Sequence, residues 1–296
     1  MGENPENPSY LINTVNGNVY YVSAIVDQAS SNILEGSGVA QRMRTISVVN
    51  QKGGSGKTTT AVNLAAALGE KQRRVLLLDV DPQHSATDWL GFHNGYKGIF
   101  SVFVENGNLL DVVSNTSVAG VDVVPSSSWL VGAEKFLAGE LGAETILRRN
   151  LEAIKEGHWD YALIDCPPTL GVLTVNALVA TSEVLVPVEA HVMALSGLAQ
   201  LIETVQLVRE RLNPELRITG ILACRVDART RHSQEIVEQL RERFGDLVYR
   251  SIIRENVRVA EAPSFTAPIT VYDKRSYGAA DYRTLAEEVI EQEGVV

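Results

Sequence analysis

The chain has 296 residues, 45% of them hydrophobic and 21% charged, which suits one large or two small globular domains. No run approaches the roughly 18 consecutive apolar residues of a membrane span, and two cysteines, Cys166 and Cys224, with no CxxC pair, exclude a disulfide framework and a thiolate metal site. The formal net charge of −10 excludes a chain that coats nucleic acid uniformly but leaves room for a local basic face.

Residues 1–42 are rich in Asn, Ser and Gly. Tyr10-Leu11-Ile12 and Val19-Tyr20-Tyr21-Val22 flank Asn16-Gly17, a hairpin signal. The simpler reading is a loosely ordered N-terminal extension, and its polar start, MGENPENPSY, carries no secretory signal. From Thr45 onward, apolar runs alternate with helical stretches. The predicted strands are Ile46–Asn50, Arg74–Asp79, Val121–Pro125, Tyr161–Asp165, Glu183–Val188, Ile218–Cys224 and Leu247–Ile253. The predicted helices are Thr58–Glu70, Ala143–Lys155, Gly171–Ala180, Leu195–Arg211, Ser233–Phe244 and Tyr277–Glu291. Short unbroken apolar strands separated by helices predict a single α/β domain with a mostly parallel twisted sheet and helices on both faces.

The strongest motif is Lys52-Gly53-Gly54-Ser55-Gly56-Lys57-Thr58-Thr59, which follows a strand and opens a helix. Its glycines let backbone N–H groups curl around an anion, and the helix start adds positive potential. Lys57 is placed to reach β- and γ-phosphates, and the Thr58 hydroxyl to ligate Mg²⁺. The usual pattern wants glycine at position 51; here Gln51 precedes an additional lysine, Lys52. Two strand ends carry carboxylates, Asp79-Val80-Asp81-Pro82-Gln83 and Leu163-Ile164-Asp165-Cys166-Pro167-Pro168. In α/β sheets such ends border the ligand site, so Asp165 is expected to hold Mg²⁺. Cys166 reads as a small buried neighbour.

With these residues in place, the loop resembles the deviant Walker A motif of the ParA/MinD superfamily, and the chain resembles the ParA family of chromosome and plasmid partition ATPases. The match runs through Thr169–Leu178, Val186-Pro187-Val188 and Ala194–Leu198 and covers about residues 43–292, which makes 43–296 a single P-loop NTPase domain with 1–42 outside it. The resemblance implies ATP and Mg²⁺ as cofactors. It implies that Lys52 reaches across a homodimer to the partner's nucleotide, a cation supplied where charge develops. It gives Asp81 the attacking water and a share of the metal, and Asp79 a supporting role beside the metal or the loop. Adenine contacts fall near Arg225 and Asn256. One departure is Glu189-Ala190-His191, where the family more often has glutamine and then an acidic residue.

Residues 225–275 carry ten basic against eight acidic side chains, and nine of the ten are arginine, which suits phosphate. Val226–Thr230 and Arg254–Ser264 resemble segments that form a positive strip on ParA dimers. Carried over, Arg229 and Arg258, with Arg254 and Lys274 behind them, are candidates for non-specific duplex DNA. The implied function is DNA partition: ATP drives dimerisation and DNA binding, and a ParB-type partner stimulates hydrolysis and release. The implied location is cytoplasmic and nucleoid-associated. A cargo-positioning ATPase that uses the nucleoid shares the same chemistry. A MinD-like membrane role needs a basic amphipathic tail, whereas Ala286–Val296 is acidic. Redox relatives need paired thiolates that this sequence lacks.

Overall fold

The computed structural model describes residues 12–15, 18–21, 42–93, 97–154, 157–191 and 194–293. Two compact units divide the chain, residues 1–39 and 40–296. In the first, β1 (Ile12–Val15) pairs antiparallel with β2 (Asn18–Tyr21), with Val15 opposite Asn18 and Ile12 opposite Tyr21. The pairing brackets the Asn16-Gly17 hairpin signal, and those two residues themselves lie outside the described ones. The remainder of the extension lies outside the described residues.

The second unit runs β3 (Arg44–Val48), α1 (Lys57–Glu70), β4 (Val75–Asp79), α2 (Ser85–Trp89) and α3 (Ile99–Val104). Next come β5 (Ser114–Asn115), β6 (Val121–Val124), α4 (Leu130–Leu137), α5 (Ile146–Glu152), β7 (Tyr161–Asp165) and α6 (Val172–Ala180). It closes with β8 (Glu183–Glu189), α7 (Ala194–Arg211), β9 (Arg217–Val226), α8 (Arg231–Phe244), β10 (Val248–Arg254), α9 (Val257–Glu261), α10 (Ile269–Tyr272) and α11 (Tyr277–Glu291). The sheet order is β10-β9-β8-β3-β7-β4-β6-β5, parallel except for the β5–β6 pair at the edge.

Strands buried on both faces explain the unbroken apolar runs. Along β4, Val75 and Leu77 enter one hydrophobic cluster, and Leu76 and Leu78 enter the other. The first cluster is covered by α1, α2 and α11, the second by α3 to α8. Gly220 of β9 lets β10 approach: a Cβ there would sit 1.8 Å from Cε2 of Tyr249. At the opposite end of the strands from the phosphate loop, the buried Arg44 guanidinium clasps Glu183 in two hydrogen bonds and donates to the Val289 carbonyl, fastening α11 to the sheet.

The predicted strands fall where expected, within two residues at most ends. The long helix predicted over Ala143–Lys155 is a 3₁₀ turn, Ala143–Thr145, followed by the shorter α5. Helices α2, α3, α4, α9 and α10 and strand β5 were not predicted; none is longer than eight residues, too short for a periodic pattern to stand out.

Candidate nucleotide site

β3 and β7 are in-register neighbours, as are β7 and β4, with Val48 opposite Asp165 and Asp79 opposite Asp165. Three strand ends thus lie side by side and gather the phosphate loop, Asp165 and the Asp79–Asp81 segment. Asn50 fixes the loop's start: its amide donates to the Pro187 carbonyl at 2.6 Å, and its oxygen accepts from the Lys52 N–H at 3.0 Å. Gly54 (φ 74°) and Gly56 (φ 94°) hold left-handed conformations that bulkier residues resist. A Cβ added at Gly53 or Gly54 would meet nothing within 4 Å, so this wall of the loop is open for a ligand. The buried Ser55 hydroxyl has no partner. Thr58 and Thr59 lie in the first turn of α1, half-buried.

Lys57 is 7% exposed, and its ammonium donates to the Lys52 carbonyl at 3.3 Å. Burial lowers its pKa, while nearby Asp165 and Asp81 act to keep it charged. Asp165 is fully buried, and neither of its oxygens has a hydrogen-bond partner. Burial pushes its pKa well above the usual carboxylate range, and the charges of Asp79 and Asp81 push the same way; Thr58 and Lys57 oppose them. Unpaired hard oxygens beside a helix start, a lysine and a threonine hydroxyl suit Mg²⁺, which takes one or two carboxylates and completes its shell with water and phosphate. Among the described residues there is no cluster of three or more His, Cys, Asp or Glu able to form an all-protein cage.

Asp79 and Asp81 divide their roles clearly. Asp79 is fully buried and turned inward: Oδ2 accepts from the Thr87 N–H (2.8 Å) and hydroxyl (2.7 Å), and Oδ1 accepts from the Asp81 N–H (3.1 Å). Burial, the largest effect, still raises its pKa to about 6. The Thr87 hydroxyl also accepts from the Ser126 N–H, and the Ser126 hydroxyl donates to the Asp81 carbonyl at 2.7 Å. Asp79 therefore braces the segment that carries Asp81, through two residues, Thr87 and Ser126, that have no signature in the sequence. The Asp81 carboxylate, 8% exposed, accepts from the Gln83 N–H at 2.9 Å. Cys166 is buried, and burial pushes its thiol well above the ordinary range, so it stays protonated.

Lys52 is exposed, and its ammonium meets Glu189 Oε2 at 2.8 Å. Glu189 Oε1 takes Arg225 Nη1 at 3.1 Å, with Arg225 in a left-handed turn (φ 53°) inside β9 near its end. His191 is exposed next to this group, and its N–H donates to the Glu189 carbonyl. Asn256 caps α9, its side chain accepting from the Arg258 N–H, so that oxygen is engaged. The four basic candidates differ. Arg229 is 87% exposed and paired with Asp227 within its own turn. Arg258 is exposed beside Glu261 and Asp273. Lys274 is exposed. Arg254 is half-buried: it grips the buried Asp281 with two nitrogens and lies 4.5 Å over the Tyr277 ring, so it is held more firmly than the other three.

Residues 43–218 match the family model described as AAA domain. The chain is 45% identical over 248 residues to the sporulation initiation inhibitor protein Soj of Bacillus subtilis, covering 83% of this chain and 98% of Soj. It is 42% identical over 257 residues to the chromosome partitioning protein ParA of Caulobacter vibrioides, covering 86% and 96%. Among solved structures, cobyrinic acid a,c-diamide synthase from Mycobacterium smegmatis with bound ADP and magnesium aligns with TM-score 0.74 at 33% identity, covering 85% of this chain and 95% of that one. The cell division ATPase MinD of Pyrococcus furiosus aligns with TM-score 0.70 at 25% identity, covering 84% and 98%. With its phosphate loop, its three aligned strand ends and relatives matched along nearly their whole length, the chain belongs to the ParA family of partitioning P-loop ATPases.

Proposed function

We propose that the protein is an ATP-switched partition ATPase. The observation that carries this is the meeting of Lys57, the unpartnered Asp165 carboxylate and Asp81 at the mouth of an open phosphate loop. The backbone of Gly53 to Gly56 and the Lys57 ammonium bind the phosphates of ATP. Thr58 and Asp165 hold Mg²⁺, which when bound neutralises phosphate charge. Asp81 orients water, and Asp79, through Thr87 and Ser126, holds Asp81 in place. Lys52 serves the nucleotide of a second copy. Bound ADP with magnesium in the mycobacterial synthase, and bound AMPPNP in a putative plasmid partition protein of Borrelia burgdorferi, support the cofactor assignment.

In this reading the ATP-bound pair holds duplex DNA non-specifically through Arg229, Arg258 and Lys274, and a ParB-type protein stimulates hydrolysis and release. The protein acts in the cytoplasm at the nucleoid. Among the described residues no helix is long and apolar enough to cross a membrane, and α11 buries Leu285 and Val289 against the core. The test is a gel shift on random-sequence duplex DNA at low salt with ATP, with ADP and without nucleotide. Binding with ATP alone, lost in Arg229→Glu and Arg258→Glu, is the expected result. Binding that ignores nucleotide, or survives both charge reversals, would refute the switch or the strip.

A further inference from the structure

We propose that Glu189 is the counter-ion that parks Lys52 until a second copy's phosphate displaces it, so that one carboxylate governs how readily two chains pair. The inference rests on the reading of Lys52 as a residue that acts across a dimer. Both oxygens of Glu189 are used, Oε2 by Lys52 at 2.8 Å and Oε1 by Arg225 at 3.1 Å. The carboxylate is 23% exposed, and Lys52 holds its pKa below the ordinary glutamate value, with Arg225 and His191 adding to that effect. The contact is built rather than accidental. Asn50 ties the loop's start to Pro187, two residues before Glu189, while also accepting from the Lys52 N–H. The base of Lys52 and the end of β8 are therefore clamped together, and the ammonium reaches Glu189 with its backbone already fixed.

The same residue is joined to the phosphate pocket from the other side. The Lys57 ammonium rests on the Lys52 carbonyl. Phosphate entering the loop competes for Lys57 and frees that carbonyl. A second copy's phosphate competes for the Lys52 ammonium itself. When Lys52 leaves, Glu189 keeps Arg225, so no carboxylate is stranded and the exchange stays reversible. A half-exposed ion pair of this kind restrains Lys52 modestly, which makes it a bias on pairing and not a block.

Two measurements test this. The first is ATP-dependent dimerisation by sedimentation, in an Asp81→Ala background to preserve the nucleotide, for Glu189→Gln, Lys52→Ala and the combination of both. Glu189→Gln should dimerise at about 2- to 5-fold lower protein concentration, as expected for release of one partly exposed pair, and the gain should vanish with Lys52→Ala. Unchanged or weaker pairing in Glu189→Gln, or a gain that persists without Lys52, overturns the proposal. The second is trace acylation of the Lys52 amine in nucleotide-free protein, read by mass spectrometry. Glu189→Gln should raise labelling of Lys52 about 2- to 5-fold relative to other exposed lysines, and unchanged labelling overturns the proposal. If the unmodified chain fails to dimerise with ATP, the pairing reading falls, while the labelling result still decides whether Glu189 holds Lys52.

Discussion

Replacing Asp165 with asparagine should separate stability from function. In the nucleotide-free protein, the Asp165 carboxylate is buried with no hydrogen-bond partner and faces Asp79 and Asp81. Leaving a buried polar group unpaired costs about 1–3 kcal/mol, and more for a charged one. The amide keeps the shape and removes the charge while its own polar atoms stay unpaired, so Asp165→Asn should stabilise the nucleotide-free chain by about 1 kcal/mol, the excess cost of a charged over a neutral buried group, or roughly 2–4 °C in Tm for a domain of this size. The sign follows from linkage. The folded carboxyl titrates above its unfolded value, so the stability tied to it is complete below the ordinary carboxyl range and is lost as pH rises. The advantage of the variant should therefore be largest at neutral pH and shrink towards pH ~4. With ATP and Mg²⁺ the order should invert. A ligand at about 100 times its Kd adds about 2.7 kcal/mol to the native protein, whereas the variant lacks the metal-holding carboxylate and gains far less. Calorimetric melting with EDTA and with Mg·ATP, alongside phosphate release, reads both effects. A variant less stable than native without nucleotide, or one that hydrolyses ATP normally, would refute the reasoning.

Lys57→Ala should lose ATP binding by isothermal titration, because it removes the buried ammonium beside Asp165 and Asp81; retained affinity would sink the loop assignment. Thr87→Val leaves Asp79 and the Ser126 N–H short of a partner, so it should cost about 1–3 kcal/mol in denaturant unfolding and slow phosphate release, while Thr87→Ser should restore much of both. Gly220→Ala drives a methyl into Tyr249, and overpacking of a core costs about 1–3 kcal/mol, which a thermal melt will detect. Arg254→Ala should destabilise by a similar amount because it leaves the buried Asp281 without its counter-charge and with the residue-254 N–H still donating to it, whereas Arg229→Ala should move stability by less than about 0.5 kcal/mol and still weaken DNA binding in the gel shift.

Much of the site is legible in the sequence because phosphate chemistry demands particular residues at fixed spacing. Gly54 and Gly56 are needed for positive φ, Lys57 for charge, and Asp165 for a strand-end oxygen. What could not be read lies in contacts between distant segments. Arg254 looks like any exposed arginine until Asp281, 27 residues later, is brought against it. Thr87 and Ser126 are ordinary polar residues until α2 and the end of β6 converge on Asp79. Glu189 was visible as a departure from pattern, yet its grip on both Lys52 and Arg225 depends on β8 lying between β3 and β9. Short helices such as α2 and α3 escaped because five or six residues give no period to detect.

The position of β7 bears on how this protein is made. It inserts between β3 and β4, which end at Val48 and Asp79, but it begins only at Tyr161. During synthesis the ribosome must deliver roughly 80 more residues after β4 before the slot can be filled. Until then two sticky parallel edges face each other across one missing strand, and Asp165, the residue proposed to hold the metal, is not yet in place. Competence to hold Mg·ATP therefore arrives together with closure of the sheet's centre, and nucleotide-dependent protease resistance of stalled nascent chains should appear only once residue 165 has cleared the exit tunnel.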